Sequence, residues 1–162
     1  MSEDVLQTLA AAVGKKLKER GLLLVTAESC TGGWVGQEIT AIAGSSDYYD
    51  CGFITYSNAA KQDMLGVPAA TLQQFGAVSE ETARAMAAGA LAHSAAQVAL
   101  SVTGVAGPGG GSPERPVGTV CFGWAVKGRD GAQSARRLFD GDRAAVRRQS
   151  VAFALQGVLD RI

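Results

Sequence analysis

The sequence predicts an α/β fold: a three-layer sandwich with a mixed, mostly parallel sheet and helices on both faces. Three observations carry this. The runs at 22–27 ("LLLVTA"), 51–56 ("CGFITY") and 98–103 ("VALSVT") are short and largely apolar, as strands covered on both faces are. Stretches with apolar residues at helical spacing lie between them. Two further runs, 119–126 and 133–139, flank a polar "KGRDG", which reads as a hairpin and adds an antiparallel element.

Taken in order, Val5, Leu9, Val13 and Leu17 form one apolar stripe on a helix of about residues 3–20, stopped by Gly21. Leu22 to Ala27 is a strand. Trp34, Val35, Ile39 and Ile42 give Thr31 to Ile42 a helical period, and "GSSD" breaks it. Cys51 to Tyr56 is the second strand, and Asn58 to Leu65 is helical up to "GVP". Ser79 suits an N-cap, with Glu80 and Glu81 favourable in the first turn of an Ala-rich helix running to about Ala95. That helix has small residues on more than one face, so it packs on the sheet or on a second subunit, and a homodimer or larger assembly is expected. Val98 to Thr103 is the third strand. After the hairpin, Asp142 caps a final helix ending near Leu159. Without repeats or a linker, residues 1–162 read as a single domain.

Composition narrows the function. With 15 basic and 15 acidic residues, the chain lacks the basic excess that nucleic-acid and membrane-surface binders need. The three cysteines, Cys30, Cys51 and Cys121, form no CxxC, disulfide framework or zinc pattern, and reduced thiols in a cytoplasmic protein are the simplest reading. The N-terminal segment is acidic where a signal peptide is basic, and no run is long enough to span a membrane. No cluster has metal-ligand spacing, so neither metal nor other cofactor is expected.

In open α/β sheets ligands sit beyond the carboxyl ends of the strands. Three strands end in polar tips: Glu28-Ser29 with Thr31, Tyr56-Ser57-Asn58, and Thr103-Gly104. Ser29 or Thr31 caps the following helix, or Ser29 is a nucleophile raised on a strand-to-helix turn with helix N–H groups nearby to hold an oxyanion. Both readings can hold if Thr31 caps and Ser29 points outward. Cys30 is a rival nucleophile. A serine needs a base. His93, the chain's one histidine, falls within the Ala-rich helix, which disfavours a Ser-His-Asp triad. Lys61 lies five residues past Tyr56 and is either a solvated surface residue or a base that swings into the crevice, kept neutral by burial or by a nearby arginine. Tyr56 is a core residue with a polar edge or a proton shuttle.

The stretch "TGVAGPGGGSPERPVG" (103–118) matches neither a Walker A nor a GxGxxG motif. It is a slack connection, or Gly104 and Gly107 lack side chains so that backbone can approach a ligand. Arg143 and Arg147, just inside the last helix, are a charged face or an anion seat at a helix N-terminus.

Together, "TAESCTGGWVG", "AGSSDYYDCGFITYSNAAKQDMLGV", "GAVSEETARAMA", "SVTGVAGPGGGSPERPVGTV" and "GDRAAVRRQS" resemble the CinA C-terminal domain family, from about Leu6 to Leu155. Some members carry a large N-terminal nucleotide-processing domain, and this chain looks like the stand-alone form. The resemblance implies hydrolysis of the carboxamide of nicotinamide mononucleotide to nicotinate mononucleotide and ammonia, within pyridine-nucleotide recycling. It implies Ser29 as nucleophile, Lys61 as general base and Tyr56 as a further catalytic residue. Thr103 and Arg143 match the family's pattern, and Thr31, Gly32, Gly33, Ser45, Ser46, Asn58, Gly104 and Gly107 complete the expected substrate contacts. The partner implied is a small nucleotide, not a nucleic acid or a membrane.

Overall fold

The computed structural model describes residues 3–162, with side chains from residue 5 onward. Five strands, β1 (Leu24–Glu28), β2 (Tyr49–Ile54), β3 (Val98–Gly104), β4 (Thr119–Val126) and β5 (Gln133–Leu138), form one sheet in the order β2-β1-β3-β4-β5. β2, β1 and β3 are parallel, and the β3–β4 and β4–β5 pairings are antiparallel. Only β4 therefore opposes the common direction, and the sheet is mixed and mostly parallel, as its sequence pattern predicts.

Helices α1 (Glu3–Arg20), α2 (Trp34–Thr40) and α6 (Arg143–Leu159) cover one face; α3 (Asn58–Leu65), α4 (Ala69–Phe75) and α5 (Glu80–Ala92) cover the other. The strands sort their side chains by size between the layers. Val120, Phe122 and Trp124 pack toward α1 and α6, whereas Ala99 and Ala125 pack toward α5. On the α5 side a Cβ on Gly123 would come within 2.4 Å of the Ala83 carbonyl, so glycine is what lets the helix lie this close. The Ala-rich helix thus packs on the sheet. No helix among the described residues is long and apolar enough to cross a membrane.

Strand β2 lies two residues earlier than the expected Cys51 to Tyr56, which leaves Tyr56 beyond its end, and three further elements differ from their sequence reading. The buried stripe of α1 is Leu6, Ala10, Val13 and Leu17, while Val5 is 42 % exposed. A strict four-residue spacing drifts about 40° per step around a helix of 3.6 residues per turn, so Val5 rotates off the face that Val13 and Leu17 define. α2 starts at Trp34, not Thr31, because Gly32 (φ 60°) and Gly33 (φ 104°) are left-handed and hold residues 29–33 in a turn. The sequence reading has no helix at α4, a seven-residue element that begins right after Pro68. Pro68 holds φ −62° in extended backbone and ends one helix pattern while allowing the next to start. Asp142 and Ser79 cap as expected, accepting from the Ala145 and Thr82 amides at 2.9 and 3.1 Å.

Candidate active site

The carboxyl ends of β1, β2 and β3 open onto a cleft of about 280 Å³. Ser29 comes from the first tip, Tyr56, Asn58 and Lys61 from the second, and Thr103, Gly104 and the loop through Gly110 from the third. Ala77 and Val78, between α4 and α5, and Arg143 of α6 close it.

At the floor, Lys61 Nζ lies 3.0 Å from Ser29 Oγ. The lysine is 1 % exposed, and its amine also reaches the carbonyls of Thr55 (2.8 Å) and Tyr56 (3.4 Å). Ser57 caps α3 by accepting from the Ala60 amide and so sets the first turn, from which the Lys61 side chain runs back under the tip of β2. No carboxylate among the described residues pairs with it. Burial lowers its pKa from the ordinary 10.5, with the Cys30 thiol opposing weakly. A neutral amine has two N–H donors and one lone pair. Two carbonyls match the donors, which leaves the lone pair for the Ser29 hydroxyl, the arrangement of a base beside a nucleophile. Arginine does not contribute to the lowered pKa, so of the two expected causes desolvation acts alone. Cys30 also lines the cleft, but burial pushes its thiol up to about 12 and keeps it protonated.

The nucleophile turn is held by a residue that sequence reasoning noted only as part of a polar tip. Glu28, 2 % exposed, accepts from Thr31 Oγ1 (2.6 Å) and from the Gly33 (3.2 Å), Val35 (2.9 Å) and Gly36 (3.1 Å) amides. It caps α2 from the strand before it, with a carboxylate at the positive end of the helix. The signal is legible in hindsight: a carboxylate at the end of a buried strand must be paired, and glycine-flanked amides follow it. Several expected contacts change meaning as a result. Thr31 is buried and donates to Glu28. The Gly32 amide bonds the Ser29 carbonyl (3.0 Å), and the Gly33 amide bonds Glu28, so neither points at an oxyanion. All three belong to the scaffold of the turn and not to the lining of the cleft.

Ser45 and Ser46 are not brought to the site. They lie in a 3₁₀ turn (Ser45–Asp47) ahead of β2, where the Tyr48 carbonyl accepts from Leu24 at the start of β1. The five residues of β1, about 16 Å at strand rise, separate them from Ser29. Their position after a helix and before a strand end puts them at the amino edge of the parallel strands, the wrong edge for the cleft.

At the rim, Arg143 donates to the Gly107 carbonyl (2.7 Å) and to the Tyr56 hydroxyl (3.2 Å), and Tyr56 is 64 % exposed. Asn58 is exposed, and Thr103 is buried with its hydroxyl on the Ala77 carbonyl (2.9 Å). Gly104 and Gly107 are glycine for packing more than for ligand approach. Cβ atoms there would come within 2.8 Å of Val120 and 2.4 Å of Val117. Arg115, in the same Gly- and Pro-rich stretch, donates to the carbonyls of Phe75 and Val78 and ties the loop to the α4–α5 wall. His93 caps the end of α5 at the surface, its Nδ1 2.8 Å from the Gly89 carbonyl.

The chain is similar to known proteins along nearly its whole length. The curated nicotinamide-nucleotide amidohydrolase PncC of Enterobacter agglomerans is 53 % identical over 160 residues, covering 98 % of this chain and 96 % of the relative. PncC of Pseudomonas putida is 51 % identical over 158 residues, covering 96 % of each. The crystal structure of the competence/damage inducible protein CihA from Agrobacterium tumefaciens superposes with a TM-score of 0.93 at 44 % identity, over 96 % of this chain and 94 % of that one. The family model of the CinA C-terminal domain matches residues 6–162. With the family model matching nearly the whole chain and relatives more than half identical over almost their full length, the chain belongs to the CinA C-terminal domain family.

Proposed function

We propose that this chain hydrolyses the carboxamide of nicotinamide mononucleotide to nicotinate mononucleotide and ammonia, with Ser29 as nucleophile and Lys61 as general base. The observation that carries the reading is the 3.0 Å contact between Ser29 Oγ and a buried lysine amine that has no counter-ion among the described residues. The names of the full-length PncC relatives supply the substrate.

Neutral Lys61 takes the Ser29 proton as Oγ attacks the carboxamide carbon. The resulting ammonium of Lys61 returns that proton to the departing nitrogen, and ammonia leaves an acyl-enzyme. A water, deprotonated by the same amine, cleaves the ester and restores Ser29. Two carbonyls around Nζ also suit the charged form, so the amine can cycle between states without moving. Arg143 and Tyr56, exposed at the rim, receive the phosphoribosyl part, with the guanidinium facing its anion. The product enters pyridine-nucleotide recycling.

Purified protein with nicotinamide mononucleotide is expected to release stoichiometric ammonia, and free nicotinamide to be a poor substrate. Ser29→Ala and Lys61→Ala are each expected to abolish release. Full activity in Lys61→Ala would remove the base assignment, and no ammonia from the wild type would remove the substrate.

A further inference from the structure

We propose that Arg147 is a positioning residue for the Ser29 nucleophile, acting through the backbone of the turn that carries it; this rests on Ser29 being the nucleophile. Arg147 lies one helical turn past Arg143 and bonds a different set of partners. Its Nε donates to the Cys30 carbonyl and its Nη2 to the Thr31 carbonyl, both at 3.1 Å. The guanidinium sits 5.5 Å from the centre of the Trp34 ring, whose Nε1 is fixed on Glu38 at 2.9 Å. The side chain therefore bridges α6, the nucleophile turn and the first residue of α2.

The hydrogen bonds form a chain that ends on Ser29. The peptide between Thr31 and Gly32 offers its carbonyl to Arg147 and its amide to the Ser29 carbonyl, at 3.0 Å. That peptide is planar, so fixing one end aims the other. On the opposite side Glu28 takes the amides of Gly33, Val35 and Gly36. Two carbonyls of the turn thus face a cation, while the Gly33 amide and two amides of α2 face an anion. An arginine fork spans two successive carbonyls, whereas a lysine satisfies one at a time. Ser29 is 7 % exposed and must stay within hydrogen-bond reach of a buried amine, so small shifts of the turn matter.

The test measures labelling of Ser29 by a fluorophosphonate, read by mass spectrometry, beside steady-state kinetics with nicotinamide mononucleotide. Labelling needs only a reactive serine, so it separates this inference from the identity of the substrate. Arg147→Lys is expected to label on the order of 10-fold more slowly and Arg147→Ala on the order of 100-fold. kcat falls in parallel and KM stays within about twofold. Free guanidinium restores a measurable part of the Arg147→Ala rate. Labelling at the wild-type rate in both variants overturns the inference. So does a loss that tracks a falling melting temperature in both variants without guanidinium rescue, since Arg147 would then serve only to dock α6. A wild type that labels nowhere on Ser29 removes the nucleophile and the inference with it.

Discussion

The floor and the rim of the cleft hold two contacting pairs of opposite character. Ser29 and Lys61 are 7 % and 1 % exposed, and the lysine amine meets three oxygens. Tyr56 is 64 % exposed, and a single 3.2 Å contact joins its hydroxyl to Arg143. The difference fits the roles proposed for the two pairs. A lysine acts as a base near neutral pH only when water is kept from it, and its position must then be over-determined. A cation that meets a charged, mobile ligand works best where that ligand can reach it; the Gly107 carbonyl holds one end of the Arg143 guanidinium, and the looser Tyr56 contact leaves the other free to re-pair.

The comparison is broken most severely at the floor. Lys61→Met is expected to lower kcat/KM by a factor of roughly 10³ to 10⁶, because nucleophile and base act as a unit. In the wild type the kcat/KM profile with nicotinamide mononucleotide should show a limb that rises with pH, with its midpoint below the ordinary lysine value of 10.5, as burial lowers the Lys61 pKa. Between the lowered value and 10.5 the folded state binds fewer protons at this site than the unfolded state. Wild-type stability should therefore gain on that of Lys61→Met as pH rises through this window, by up to about 1.4 kcal/mol per pH unit. Denaturant melts of the two proteins across pH check this, and parallel curves would mean that Lys61 is not depressed.

Glu28→Gln comes next in size. It keeps the shape of the side chain but replaces an acceptor-only carboxylate with an amide whose NH₂ faces backbone donors. A loss of about 2–4 kcal/mol is expected, since hydrogen bonds to a charged group are the strong ones and some donors are left without a partner. Thermal unfolding reads this directly, and an unchanged melting temperature would show that the turn holds itself. At the rim, Arg143→Ala should raise KM on the order of 10-fold and leave kcat within a few-fold, because the lost contact is to the part of the substrate that does not react. Tyr56→Phe should have the smallest effect, about 0.5–1.5 kcal/mol or a few-fold in KM, as one exposed hydroxyl contact is removed. A collapse of kcat in Tyr56→Phe would move the tyrosine from the rim to the chemistry.

Much of this arrangement is legible in one dimension, and the parts that are not share a cause. The three strand tips are visible because each is a local event: an apolar run that stops on a polar residue, as at Ser29, Tyr56 and Thr103. Asp142 and Ser79 are visible as caps because a cap acts on amides two or three residues away. Arg115 is different, reaching carbonyls 37 and 40 residues distant, and Arg147 reaches carbonyls 116 and 117 residues distant. No period or spacing encodes such pairs. Ser45 and Ser46 show the converse, since a polar pair between a helix and a strand reads as a loop without revealing which edge of the sheet it joins.

The sequence by itself determined the α/β class, the mostly parallel character of the sheet and the candidate serine and lysine, because hydrophobic period, helix caps and family motifs are all written within a few tens of residues. Only the tertiary structure decided that Lys61 is buried with no counter-ion among the described residues, that Glu28 and Arg147 hold different peptides of the same turn, and that the Ser45–Ser46 turn lies at the far edge. Desolvation and contacts between distant segments exist only once the layers close around the sheet, and they set how the amine and the hydroxyl behave.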